Sequence, residues 1–144
     1  SRSQLVWSSM FKVACIDHIV LRTANKQALL NFYEGILGCE IERDTPPEVG
    51  LTQLRAGSAL IDIVAVNSKL GAIGGPAPAK DGNNLDHFCL QLEPVLEEDI
   101  RSHLTSHGIE VGAFASRYGA EGQGRSIYIE DPDGNVVELR SKQD

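Results

Sequence analysis

The apolar positions of this chain change period twice, in the same order each time. Asp17-His18-Ile19-Val20-Leu21 is a short run of strand type, and Asp86-His87-Phe88-Cys89-Leu90 repeats it 69 residues later. A helical period follows each run. Ala28, Leu29, Phe32, Ile36 and Leu37 mark one apolar face, which Gly38 is placed to end. Leu96, Ile100 and Leu104 mark the other, with Pro94 placed to open the helix and Gly108 to close it. Three strand-like segments then follow in each half. The first half offers residues 40–43, 51–56 and 59–66, with Gly57-Ser58 as a tight hairpin turn. The second offers 109–114, 126–130 and 135–140, with Asp131-Pro132-Asp133-Gly134 as a type I turn.

Each half therefore reads β-α-β-β-β. The pattern predicts an α+β fold of two similar modules, with mostly antiparallel or mixed sheets and one helix covering each. We place module one at 13–66, a Gly-, Pro-, Ala- and Asn-rich linker at 67–84 and module two at 85–142, all within a single domain at 11–144. Residues 1–10 are read as a lead without structure or a remnant of cloning. Residues 116–124 read as a flexible stretch, either a lid or a solvated loop.

Composition narrows the partners. Apolar residues make up 42% and charged residues 23% of the 144, as in ordinary globular proteins. The net charge of -7 argues against nucleic acid and against an anionic membrane surface, and no apolar run is long enough to span a bilayer. Three widely spaced cysteines, Cys15, Cys39 and Cys89, without a CxxC pair suggest reduced thiols and a cytoplasmic setting.

The repeat also carries the chemistry. His18 and His87 occupy equivalent positions of equivalent strands. Ala59-Leu60-Ile61-Asp62-Ile63 aligns with Asn135-Val136-Val137-Glu138-Leu139, so each last strand holds one carboxylate among apolar residues. An ionised carboxylate there is costly unless it is paired or bound to a metal. His18, Asp62, His87 and Glu138 thus form a symmetric candidate cage, suited to divalent Zn, Ni, Fe, Co or Mn. Glu138 has the alternatives of pairing with Arg140 or facing solvent on an edge strand. Asp62 either ligates directly or hydrogen-bonds a ligand histidine. Strand alternation sets Arg22 on the His18 face, either as a clamp for a substrate carboxylate or in a structural ion pair. Cys89 reads as a small core residue. His103 and His107 are left out of the site, as residues near a helix C-terminus.

From about Val13 to Arg140 the chain resembles the vicinal oxygen chelate superfamily of glyoxalases, bleomycin-binding proteins and extradiol dioxygenases. The resemblance is carried by Asp17 to Leu21, Phe32-Tyr33-Glu34-Gly35-Ile36-Leu37-Gly38, Asp86-His87-Phe88 and Tyr128 to Glu138. It implies curved sheets forming a metal-binding cup, with the metal on His18, His87 and Glu138. Glyoxalase I enzymes place a Glu where this chain has Asp62, and their glutathione-binding Arg matches Arg22. The leading expectation is a metal-dependent lyase or isomerase of the glyoxalase I type, acting on a small oxygen-chelating substrate such as a thiol conjugate, with Glu138 moving the proton. The rivals are an Fe(II) extradiol-type dioxygenase and a non-catalytic antibiotic-binding protein. A homodimer follows from the resemblance alone, because relatives close the cup within one chain or by exchange with a second.

Overall fold

A computed structural model describes residues 10–143, so the proposed lead at 1–9 lies outside the described residues. The order of elements is β1 (His18–Thr23), α1 (Lys26–Leu30) running on as a π-helical stretch (Asn31–Ile36), β2 (Ile41–Asp44), β3 (Leu51–Ala56), β4 (Ala59–Ala65), α2 (Lys69–Ala72), β5 (Phe88–Leu92), α3 (Glu97–Ser106), β6 (Ala115–Gly119), β7 (Gly122–Glu130) and β8 (Val136–Ser141). They form two curved, open four-stranded mixed sheets, ordered β1-β4-β3-β2 and β5-β8-β7-β6. In each, the first strand pairs in parallel with the last, and the remaining pairs are antiparallel. The duplicated β-α-β-β-β reading holds.

Local chemistry explains the element ends. The Asn25 side chain accepts the Ala28 N–H at 3.1 Å and caps α1. Leu37 N–H reaches the Phe32 carbonyl five residues back, which marks the π widening, and Gly38 then turns the chain at φ 79°. Glu97, Glu98 and Asp99 occupy the positive end of α3, and Gly108 ends it at φ 74°. Leu96, expected on the apolar stripe of α3, is instead its exposed N-cap residue. The helix starts one turn later than the Pro94 signal suggests.

Two expectations at the start of the last hairpin are corrected. Residues 109–114 carry no strand, although Ile109, Val111 and Phe114 pack on the core. The strand lies further on, at β6, so the stretch 116–124 is neither lid nor loop but most of the β6–β7 hairpin, closed at the Gly119–Gly122 pair. The linker 67–84 holds one short helix, α2, capped by the Ser68 side chain. Among the described residues, no helix is long and apolar enough to cross a membrane.

One core serves both modules. Leu29, Phe32 and Tyr33 pack into the same buried cluster as Ile100, Leu104, Ile127 and Val137. Tyr33 is the bridge. Its ring stacks on Phe88 at 6.3 Å, and its hydroxyl donates to Asp131 Oδ2 at 2.7 Å. The Asp131 carboxylate also accepts the Asn135 side-chain amide and the backbone N–H groups of Asp133 and Asn135. The type I turn is therefore tied to the first helix across the module boundary. Burial and the Asp131 charge hold the Tyr33 hydroxyl far above its ordinary range, so it stays a donor. Replacing Tyr33 by Phe keeps the ring and removes this bond. We expect about 1–3 kcal/mol of stability to be lost, read as a lower urea midpoint with an unchanged slope.

Candidate metal centre

The parallel pairing of first and last strand fixes which side chains meet. His18 lies opposite Leu60, and Asp62 is two residues further along β4, hence on the same sheet face. Module two repeats the relation: Cys89 lies opposite Glu138, which sets Glu138 on the His87 side of the sheet. On β1 the residues turned to the common core are Leu21 and Thr23, both buried, while His18 and Val20 are exposed on the opposite face. Each histidine thus stands on an open sheet face whose reverse packs on the shared core.

In module two, His87 Nε2 and Glu138 Oε1 lie 3.3 Å apart. Glu138 is only 5% exposed, because β8 is an interior strand rather than an edge. The alternatives of a solvent-facing Glu138 or a Glu138–Arg140 pair are not what the structure shows: among the described residues, the ion pair of Glu138 is with His87. His87 Nδ1 sits 2.7 Å from Asp86 Oδ2. A carboxylate there makes Nδ1 the protonated nitrogen and leaves Nε2 as a lone pair. That lone pair then faces a carboxylate oxygen, an arrangement that repels unless a proton or a cation lies between them. Two ligands bound to one ion at about 2.0–2.2 Å stand roughly 3–3.5 Å apart, so the spacing suits a shared cation.

Module one repeats the orienting pair. His18 Nδ1 lies 2.7 Å from Asp17 Oδ1. This hydrogen bond raises the His18 pKa, burial lowers it, and the charges of Asp62 and Asp17 add to the rise. Asp62 is 3% exposed. Its Oδ2 accepts from the Gln53 side chain at 3.1 Å, and its Oδ1 is buried with no hydrogen-bond partner. An orphaned carboxylate oxygen on the histidine face is a group that a donor or a cation would satisfy. The donor chemistry therefore fits a divalent ion in both modules. Within one chain, however, the His18 and His87 sets stay separate. Among the described residues, no three His, Cys, Asp or Glu side chains gather closely enough to hold one ion.

The other predicted residues divide. The Arg22 guanidinium donates to the carbonyls of Gly71, Gly75 and Pro76, fastening α2 and the segment after it to β1. Gly74 makes room for it, since a Cβ there would approach Arg22 Nε to 2.3 Å. Cys89 is exposed on the open face, not in the core. Local burial, with the Glu138 charge, pushes its thiol up to about 11, and Arg140 opposes the rise. His103 Nε2 lies 2.7 Å from the Ile36 carbonyl, a contact between the two helices.

The place of three residues at this site escaped the sequence reading. Tyr128 meets His87 edge-on at 5.3 Å, and Arg117 lies over the Tyr128 ring at 4.3 Å. Arg140 is buried on the Glu138 face. Counting outward from the Asp131–Gly134 turn would have found Tyr128, because the hairpin pairs it with Glu138. Asp17 and Asp86 stood in the repeated motif, yet their role was not drawn from it.

Comparison with known proteins agrees with this architecture. The chain matches the model of the glyoxalase/bleomycin resistance protein/dioxygenase superfamily over residues 15–139. It is 49% identical over 133 residues to the glyoxalase domain-containing protein RDO1 of Mycosarcoma maydis, covering 92% of this chain and 70% of that protein. Among solved structures, an integron cassette protein from the mobile metagenome of Vibrio cholerae superposes with a TM-score of 0.72 at 24% identity, over 94% of this chain and 100% of the other. The lactoylglutathione lyase of Agrobacterium tumefaciens superposes with a TM-score of 0.64 at 22% identity, over 90% and 94%. At those identities the two structures attest the fold alone. By its family match over most of its length, this chain belongs to the glyoxalase/bleomycin resistance protein/dioxygenase superfamily.

Proposed function

We propose that this protein is a metal-dependent lyase or isomerase of the glyoxalase I type, acting on a small substrate with two adjacent oxygens. The observation that carries the reading is the opposition of His87 Nε2 and Glu138 Oε1 at 3.3 Å, with His87 Nδ1 already committed to Asp86. His87 and Glu138 would hold the ion with His18, and Asp62 is the candidate fourth ligand. A divalent Zn, Ni, Fe, Co or Mn ion bound there supplies Lewis acidity toward neighbouring substrate oxygens. Glu138 is the group placed to move a proton beside a carbonyl, since it is buried and touches the other proposed ligand. Arg22 enters with most of its N–H groups taken by backbone carbonyls, so it offers a substrate little more than one donor. Three free thiols suit a reducing cytoplasm.

The ligand sets lie on the open faces of two sheets that share one core. The reading therefore includes a homodimer in which His18 and Asp62 of one copy meet His87 and Glu138 of the other. Complementation tests this directly. A His18→Ala chain and a Glu138→Ala chain should each lose bound metal and activity. Mixed and refolded together, they should regain up to half of the metal per mixed dimer, because one of its two sites is then intact. Failure to regain metal, with both variants folded and dimeric, would exclude the exchanged site.

The reaction is tested by hemithioacetal isomerisation after loading with Ni, Zn, Co or Mn. Turnover is expected to fall by at least about 100-fold in Glu138→Ala. No turnover with any metal removes the lyase reading. Aerobic catechol cleavage by iron-loaded protein would replace it with a dioxygenase, and ligand binding that survives chelation would replace it with a binding module. The thiol gives a pH test. In metal-free protein, Cys89 should alkylate slowly at pH 8, and its rate should climb until the pH nears about 11, followed by peptide mass spectrometry.

A further inference from the structure

The open face of module two holds a cavity of about 460 Å³, walled by His87, Cys89, Gln91, Glu138, Arg140 and the hairpin residues 118–124. Arg140 is its one strongly buried cation, 9% exposed, and among the described residues no carboxylate forms an ion pair with it. Its Nη2 donates to the Arg117 carbonyl at 2.9 Å and to the Gly122 carbonyl at 3.4 Å. These bonds hold the guanidinium still without neutralising it. Nε and Nη1 have no protein acceptor among the described residues.

The hairpin is shaped around this group. A Cβ on Gly119 would fall 1.8 Å from Arg140 Nη1, and one on Gly124 would fall 2.6 Å from Nη2. Glycine at these two strand positions weakens the hairpin, and the space it leaves is filled by the guanidinium. A buried charge that cannot deprotonate requires a counter-ion. The nearest acid along its own strand, Glu138, is turned to His87 instead.

We propose that Arg140 is a substrate-recognition residue that seats a carboxylate inside this cavity, beside the His87–Glu138 pair. The proposal deepens the reading above, and rests on it only in taking His87 and Glu138 as the reacting end of the site. Glu138 and Arg140 are two residues apart on one strand face, a Cα spacing of roughly 6.6 Å. That spacing selects a compact acid whose carboxylate lies a few bonds from its chelating oxygens, such as a 2-hydroxy or 2-oxo acid. Charge favours a carboxylate over a phosphate. One buried cation balances one negative charge, and the Glu121 and Glu138 side chains in the same wall repel a dianion.

The test uses full-length protein stripped with a chelator, so that it does not depend on the metal. Lactate, a singly charged 2-hydroxy acid, is titrated by calorimetry, with neutral lactamide and inorganic phosphate as controls. Lactate should bind, lactamide should not, and phosphate should bind more weakly. Arg140→Gln should weaken lactate by about 10- to 100-fold, the loss expected for a charge-assisted hydrogen bond, with Arg140→Lys between the two. In the wild type, amide resonances that shift with lactate should belong to residues 87–91 and 117–124. That mapping decides the matter even if the variants misfold. Equal lactate affinity in Arg140→Gln, shifts located elsewhere, or binding of phosphate as tight as lactate would each overturn the proposal. If lactate binds through Arg140 while the protein takes up no metal, the metal reading fails and this one stands.

Discussion

The structure turns on the cost of a carboxylate in an interior strand. β4 and β8 are flanked by a strand on either side, and each carries one buried acid turned away from the core, Asp62 and Glu138. Burying such a charge without compensation costs several kcal/mol. Among the described residues, Glu138 has one ion-pair partner, His87 Nε2, whose other ring nitrogen is engaged by Asp86, while Asp62 leaves one oxygen without a hydrogen-bond partner. The aspartates preceding both histidines complete the arrangement by aiming each Nε2 at the open face. Side-chain orientation is thus built from the backbone register outward: parallel pairing sets the offset of histidine and acid, alternation sets the face, and the neighbouring aspartate fixes the imidazole through Nδ1.

The duplicated frame carries unequal equipment. Four residues after His18 stands Arg22, which binds the linker; four residues after His87 stands Gln91, which donates to Glu121. Two residues after Asp62 stands Val64, an apolar wall; two residues after Glu138 stands Arg140. The arginines have exchanged tasks. In module one the cation fastens backbone carbonyls, and in module two it lies in a cavity beneath a glycine hairpin. A symmetric scaffold therefore carries unequal open faces, with the cavity walled by Glu138 and Arg140 on the module-two side.

The repeat was legible because its signals are local and redundant. The histidine strand, the Gly57-Ser58 turn and the Asp131–Gly134 turn each rest on residue types with few other uses. What was misread had a non-local cause. Gly119, Gly122 and Gly124 made 116–124 resemble a loop, whereas two of these glycines, Gly119 and Gly124, make room for the guanidinium of Arg140, distant in the chain. The apolar run 109–114 met the criteria of a strand, yet its backbone lies beside the sheet while its side chains fill the core. Tyr33 has a polar tip and was not counted on the apolar face, although it is fully buried, because its partner Asp131 lies 98 residues away. In the candidate site, residue types were readable from the repeat. The separation of the two ligand sets was not, since it depends on how the modules pack.

That packing has a thermodynamic consequence for the proposed dimer. The two modules of a chain share one buried cluster, bridged by Tyr33, Phe88 and Asp131, so a hinge that swung one open face onto the other would have to break the core. A second chain can instead present its open face with both cores intact. An ion held by ligands from both chains binds the dimer and not the monomer. By linkage, the ion must then tighten assembly by the same free energy with which assembly tightens the ion. On this reading, metal supply and oligomeric state are a single equilibrium, and the buried acids of β4 and β8 are tolerated in the fold because assembly brings the cation that offsets them.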